Sequence, residues 1–222
     1  MVIFRRLVRG VADEYDMEAT FMGKPYADHP GNGMHLHTSV LDNEGVNIFE
    51  CSNEEIAPAL RYAVAGVLNT MEDFQAIFAP HMNSYRRFFP GGFAPCAPDW
   101  GLDNRNAGIR LPVTKGPASR LEHRISGADI NPYLAFAAIL AGILHGIESQ
   151  EEPPLPIEDV NSFPAVPLTT NWSQSVANFE NSKFAKALLG ENYCNIYSVL
   201  RRNEISQITT EIPPIEYKTY LS

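Results

Sequence analysis

Apolar residues at helical spacing open the chain. Val2, Ile3, Leu7, Val8 and Val11 fall near one face of a 3.6-residue repeat, which predicts a helix over residues 2–16. Extended stretches are expected around 18–22 and 34–41. The turn formers Asp42-Asn43-Glu44-Gly45 close the second. Ser52 with Glu55 has the form of a capping box, and a long helix is expected to follow to about Phe78, ending before Pro80. Asn131-Pro132 predicts a second long helix start, with proline at the tolerated first position, running to about Glu148. Tyr133, Leu134, Phe136, Ala137, Leu140, Ile143 and Leu144 are expected to form most of its core face. The prolines at 153, 154, 156, 164 and 167 make residues 150–170 an extended surface connection. Ser173 reads as the cap of a helix through about Leu189. Another helix spans Glu191 to Ile208, and residues 211–220, with Pro213-Pro214, form a closing turn and tail. No internal repeat is evident.

Two stretches alternate with period two, so side chains two apart share a face of a strand. His35, His37 and Ser39 share one face, while Met34, Leu36 and Thr38 share the other. Arg120, Glu122 and Arg124 likewise oppose Leu121, His123 and Ile125. Neutral imidazoles bind metals, carboxylates suit hard cations, and guanidinium groups pair with carboxylate or phosphate. A solvated edge strand and an incidental histidine pair are the plainer readings of the same text. Gly31-Asn32-Gly33, just ahead of the histidines, suits a turn or a close approach of backbone to ligand. Between the two stretches lie Asn83-Ser84-Tyr85-Arg86-Arg87, Pro90-Gly91-Gly92-Phe93-Ala94-Pro95 and Asn104-Arg105, then Ile109-Arg110-Leu111-Pro112.

Composition narrows the partners. The 222 residues are 45% hydrophobic, enough for a sizeable core in one domain. With 17 Lys+Arg against 26 Asp+Glu, the net charge of -9 argues against a nucleic-acid-binding face. Arginines concentrated at 87, 105, 110, 120 and 124 of an acidic chain instead suit a small anionic ligand. The three cysteines, Cys51, Cys96 and Cys194, show no paired spacing, which suggests neither a disulfide framework nor a zinc site and agrees with a cytoplasmic setting. Apolar runs stay short of the roughly 20 residues a membrane span needs. The start is too short and too soon charged for a signal peptide. His29 and His81 are expected at the surface and His145 satisfied within its helix. His123, opposite Glu122, is not expected to be a ligand. Trp100 and Trp172 are expected in packing, and Lys24 and Lys115 in solvent.

Taken in order and spacing, these motifs resemble the glutamine synthetase superfamily over most of the chain. The matching pieces also include Thr20-Phe21-Met22-Gly23-Lys24-Pro25 and Asn131-Pro132-Tyr133. The resemblance implies an α+β fold: a largely antiparallel sheet, part of an open barrel, backed by helices. It implies ATP-dependent joining of the γ-carboxylate of glutamate to ammonia or an amine through a γ-glutamyl phosphate, with Mg2+ or Mn2+ as cofactor. By resemblance, His35 and Glu122 are metal ligands. His37, Ser39, Arg105, Arg110 and Arg120 face the nucleotide. Gly31, Arg87, Phe93 and Arg124 lie at the substrates, and Arg87, Arg105 and Arg110 are the catalytic arginines. A homo-oligomer is implied for the full-length protein, with no role for nucleic acid or membrane.

The chain departs from the family twice. Ammonia-using members carry a glutamate where this chain has Phe93, and a Phe-Ala-Pro loop resembles the γ-glutamylpolyamine and γ-glutamylamine synthetase branch. Phenylalanine can neither bind ammonium as a carboxylate does nor take its proton, so the expectation is an amine carrying carbon; drift to an inactive, non-catalytic subunit that binds nucleotide or glutamate is the alternative. Family members also have an N-terminal β-grasp domain and glutamate-bearing strands that build another metal site. Residues 1–222 show no such set and are expected to be the C-terminal part of the catalytic domain, with little or no ligase activity alone.

Overall fold

A computed structural model describes residues 1–51, 55–89, 92–112, 115–158 and 166–221. The alternating stretches pair as strands. Leu36–Thr38 (β1), Trp100–Leu102 (β2), Ile109–Leu111 (β3) and Leu121–His123 (β4) form one sheet in the order β1-β4-β3-β2. β4 pairs antiparallel with both β1 and β3, while β2 runs parallel to β3. The expected strand at 18–22 does not form. Its Phe21 and Met22 carbonyls accept from the Asn32 side-chain amide instead of joining a ladder. β2 and β3 were not anticipated, because the residues around them do not carry the alternation on past the strand, as they do at 35–39 for β1 and 120–125 for β4.

The register fixes the two faces of the sheet. Glu122 lies opposite His37 on one side and Arg110 on the other. His123 lies opposite Leu36 and Ile109. One face is therefore polar and the other apolar, with Leu36, Ile109 and His123 all buried. Residues 159–165 of the Pro-rich connection lie outside the described residues; its described part before them, residues 151–158, has no helix or strand and runs along the outer edge of β2. Ile157 N–H donates to the Trp100 carbonyl at 2.8 Å, and the Trp100 indole donates to the Pro154 carbonyl at 2.7 Å. An open edge is thereby covered.

Nine helices surround the sheet among the described residues: Val2–Asp13 (α1), Pro58–Thr70 (α2), Gln75–Phe78 (α3), Met82–Tyr85 (α4), Pro132–Ser149 (α5), Trp172–Asn181 (α6), Lys183–Leu189 (α7), Glu191–Thr210 (α8) and Pro214–Tyr220 (α9). Ser52 lies outside the described residues, and α2 starts only at Pro58. The single long helix expected to Phe78 is broken by turns at 71–74, which bury both Met71 and Phe74. Asn131 caps α5 by accepting from the Tyr133 and Leu134 amides, as its sequence implies. The cap of α6 is Asn171, not Ser173, and Ser182 splits the expected helix by capping α7. Residues 214–220 are helical rather than an irregular tail.

α5 turns a different face inward than its large side chains suggest. Ala135, Ala138, Ile139, Gly142, Ile143 and Gly146 are buried, while Tyr133, Phe136, Leu140 and Leu144 are exposed. Contact with α2 explains this. A Cβ on Gly66 would stand 2.1 Å from the Gly142 carbonyl oxygen, and one on Gly146 would stand 1.9 Å from that of Tyr62. The two helices meet backbone to backbone, and only glycine permits it. α5 is also the one described helix long and apolar enough to cross a membrane. α1 buries none of its residues fully; Arg5 ties it down by donating to the Ala128 and Ile130 carbonyls.

Candidate active site

The polar face of the sheet converges on one carboxylate. Glu122 is 1% exposed. Its Oε2 accepts from Arg110 Nη1 at 2.9 Å, and its Oε1 accepts from Arg124 Nη1 at 2.6 Å. His35 Nδ1 is 3.0 Å from Oε1 and His37 Nε2 is 3.9 Å from it. Strand alternation does this: 35 and 37 share a face, as do 120, 122 and 124, and antiparallel pairing sets them opposite. Burial alone would raise the Glu122 pKa, but Arg124 foremost, with His37 and Arg110, outweighs it and holds the carboxyl below its usual range. Burial, with Arg124 beside it, lowers the His35 pKa and keeps the ring neutral. An ionised carboxylate beside a neutral imidazole is a donor pair that suits a divalent cation. Among the described residues no group of three or more His, Cys, Asp or Glu side chains is placed to hold a metal, so the pair fits part of a coordination shell.

The remaining expected residues fall around this centre. Arg120 Nε donates to His37 Nδ1 at 3.0 Å. Arg110 also bonds Asp103, which stands exposed and has its carboxyl pKa lowered by that contact. Arg105 projects into solvent while its carbonyl accepts from Arg124 Nη2 at 2.9 Å. Ser39 is exposed just beyond the end of β1.

Next to the carboxylate lies a cavity of about 560 Å³ whose walls include Gly31, His35, Arg87, Phe89, Phe93 and Arg124. Phe93 is 84% exposed there. Arg87 is only 3% exposed and ties its own segment to two others. Its Nε donates to the Asn32 carbonyl at 2.6 Å, Nη1 to Ile125 at 3.0 Å and Nη2 to Ser126 at 3.2 Å. Gly31 packs against it so closely that a Cβ would stand 2.9 Å from Arg87 Cγ and 2.7 Å from the Gly23 carbonyl oxygen. Lys24, expected in solvent, lies over the Phe89 ring and donates to the His29 carbonyl at 2.8 Å. Sequence reasoning missed Asn32, which joins the Phe21, Met22 and Ala128 backbones, and Asp129, whose Oδ2 accepts from Ser84 at 2.5 Å. Asn32 stood inside a singled-out motif; Asp129 gave no local signal.

The plain readings hold elsewhere. His123 is fully buried with its ring 4.3 Å from Phe78, and burial pushes its pKa down to about 3, so it faces away from the site and stays neutral. Trp100 and Trp172 are buried, and His29 and His81 are exposed.

Residues 1–220 match the family model described as glutamine synthetase, catalytic domain. The chain is 37% identical over 222 residues to gamma-glutamylputrescine synthetase PuuA of Escherichia coli (strain K12), a match covering 98% of this chain and 46% of that protein. It is 35% identical over 218 residues to gamma-glutamylethanolamide synthetase GlnA4 of Streptomyces coelicolor, covering 97% of this chain and 46% of that protein. A solved GmaS/ADP complex superposes with a TM-score of 0.89 at 30% identity, covering 99% of this chain and 53% of that one. The chain thus spans about half the length of the curated relatives it matches.

Proposed function

Because this chain belongs to the glutamine synthetase family, we propose that residues 1–222 are the C-terminal part of the catalytic domain of an ATP-dependent glutamate–amine ligase. The observation that carries this is Phe93, exposed on the wall of the cavity that also holds Arg87 and Arg124.

Arg124 and the two N–H groups that Arg87 has left after its three carbonyl bonds hold the carboxylates of glutamate. Gly31 lets the backbone approach that substrate. Arg105 and Arg110 neutralise charge on the transferring phosphoryl group, and His37, Ser39 and Arg120 face the nucleotide. His35 and Glu122 hold one divalent ion, Mg2+ or Mn2+, which when bound neutralises phosphate oxygens and orients them. A glutamate γ-carboxylate oxygen attacks the γ-phosphorus of ATP, and ADP leaves. The amine, once it has given up its extra proton to solvent, attacks the acyl carbon through its neutral nitrogen; phosphate leaves with the acyl oxygen and carries off the proton that the nitrogen loses. Phe93 supplies an apolar edge for the carbon of the amine and a ring face for its cationic form. It also helps to keep water from the acyl phosphate. The full-length protein acts in the cytoplasm as a homo-oligomer. The similarity to gamma-glutamylputrescine synthetase, gamma-glutamylethanolamide synthetase and a glutamate–isopropylamine ligase supports an amine acceptor.

Glutamate-dependent ADP release by the full-length protein, with ammonia compared against mono- and polyamines, tests this. Turnover is expected to be faster with a carbon-bearing amine, and Phe93→Glu is expected to shift preference toward ammonia by about tenfold, roughly 1.4 kcal/mol in the barrier. Ammonia outpacing every amine would overturn the amine assignment. A non-catalytic subunit that binds nucleotide or glutamate is the second reading, favoured by the two-ligand metal set; ATP binding without turnover on any amine would select it.

A further inference from the structure

Asp103 follows directly on β2 with its backbone in the left-handed region, at a φ of 47°. Residues with a Cβ adopt that region under strain, and aspartate and asparagine are among those that bear it best. Two other described non-glycine residues share it: Asp16, in the turn after α1, and Gln150, at the C-cap of α5. Asp103 ends no helix. Its N–H donates to the Leu111 carbonyl at 3.0 Å, which keeps the chain laddered to β3, and its carboxylate reaches across to Arg110. Asp103 Oδ1 accepts from Arg110 Nε at 3.0 Å and also from Nη2, while Arg110 Nη1 donates to Glu122 Oε2 at 2.9 Å. Three of the five guanidinium N–H groups are thereby engaged from both ends of the fork, and two remain. The Asp103 side chain is 73% exposed and that of Arg110 18%. An ion pair with so exposed a partner adds little to folding stability, so the fold does not account for the strain. Strain held at a residue whose carboxylate grips a charged group of the site points to the orientation of that group.

We infer that Asp103 is a positioning residue, which fixes the plane of the Arg110 guanidinium before the nucleotide arrives. This rests on the ligase reading, in which Arg110 meets the transferring phosphoryl group. An arginine side chain has much rotamer freedom to lose when it grips a phosphate. Held by Asp103 on one side and Glu122 on the other, Arg110 has already lost it, and its two remaining N–H groups are aimed in advance. Glu122 alone holds one end of the fork and leaves the plane free to turn. The negative charge of Asp103 stands toward solvent, where screening weakens its repulsion of phosphate.

Calorimetric titration of the full-length protein with ATP and with ADP, in Mg2+ and without glutamate, tests the inference without turnover. Asp103→Gly removes the carboxylate and relieves the backbone, so its melting temperature is expected to hold or rise. Its ATP affinity is nevertheless expected to fall about tenfold, while ADP, which lacks the phosphoryl group that Arg110 meets, stays within about twofold. A merely structural ion pair would lower the melting temperature and weaken both nucleotides alike. Asp103→Asn keeps an oxygen for Nε and Nη2 and tolerates the same backbone, and it is expected to restore ATP affinity to within about threefold of the parent. The inference is overturned if Asp103→Gly keeps its ATP affinity, loses ATP and ADP equally, or binds ATP more tightly, as it would if Asp103 competed with phosphate for Arg110. It is also overturned if Asp103→Asn is as weak as Asp103→Gly. A parent that binds ATP but turns over no amine defeats the ligase reading and leaves this inference to the affinities; a parent that binds neither nucleotide overturns both.

Discussion

Glu122 holds two guanidinium groups and an imidazole in a place where it is 1% exposed. Taking away its charge leaves Arg124 buried without its carboxylate partner and Arg110 with Asp103 alone. Glu122→Gln is expected to cost about 3 kcal/mol of folding stability, as removal of one partner of a buried pair does, and urea unfolding checks this. Asp99 makes the opposite case. Burial raises its carboxyl pKa against the bond it accepts from Gly108 N–H at 2.7 Å. The folded state therefore binds the proton more tightly than the unfolded one. Stability from this group is fullest below the unfolded carboxyl value of about 3.9 and is lost as pH rises toward the raised folded value. Asp99→Asn keeps an acceptor for Gly108 and removes the charge. Its stability difference from the parent is expected to grow in its favour across that pH window and then level off, as read from unfolding free energies at successive pH values.

The elements differ in how far their residues announce them. β1 and β4 were legible because polar and apolar residues alternate strictly at 35–39 and 120–125, and the register places them as that alternation requires. α5 was legible at its start, since Asn131-Pro132 is a local signal; Asn131→Ala is expected to lower stability by about 1 kcal/mol, measurable by thermal unfolding. Its inward face was not legible. Size and hydrophobicity favour Phe136 and Leu140 for the core, but closeness to α2 favours glycine and alanine, and only the partner helix reveals that. Gly146→Ala tests the contact: a Cβ there meets the Tyr62 carbonyl oxygen at 1.9 Å, and the strain is expected to cost about 1–3 kcal/mol. Arg87 was found by its motif, yet its bonds to Asn32, Ile125 and Ser126 were invisible, because carbonyls from separate segments carry no mark in sequence.

At the scale of the molecule, the described residues assemble a cation-rich wall around one carboxylate but supply only two side chains, His35 and Glu122, for a metal. Phosphoryl transfer needs charge neutralisation from several directions at once. The isolated 222-residue chain is accordingly expected to fold yet release no ADP in the presence of glutamate, ATP, divalent metal and any amine. A coupled ADP assay on the purified chain measures this, and robust turnover would refute the division of labour proposed for it.

The register of β4 carries a genetic consequence. Glu122 faces His37 and Arg110 while its neighbour His123 lies fully buried on the opposite face. Inserting or deleting one codon within residues 120–125 would exchange the two faces downstream, driving a guanidinium into the core and an isoleucine into the site. A codon gained or lost in the Asp42–Val46 hairpin turn changes only the length of a surface loop. Length variation among descendants of this gene should therefore accumulate at that turn and be purged from the strand, even where single substitutions in the strand survive.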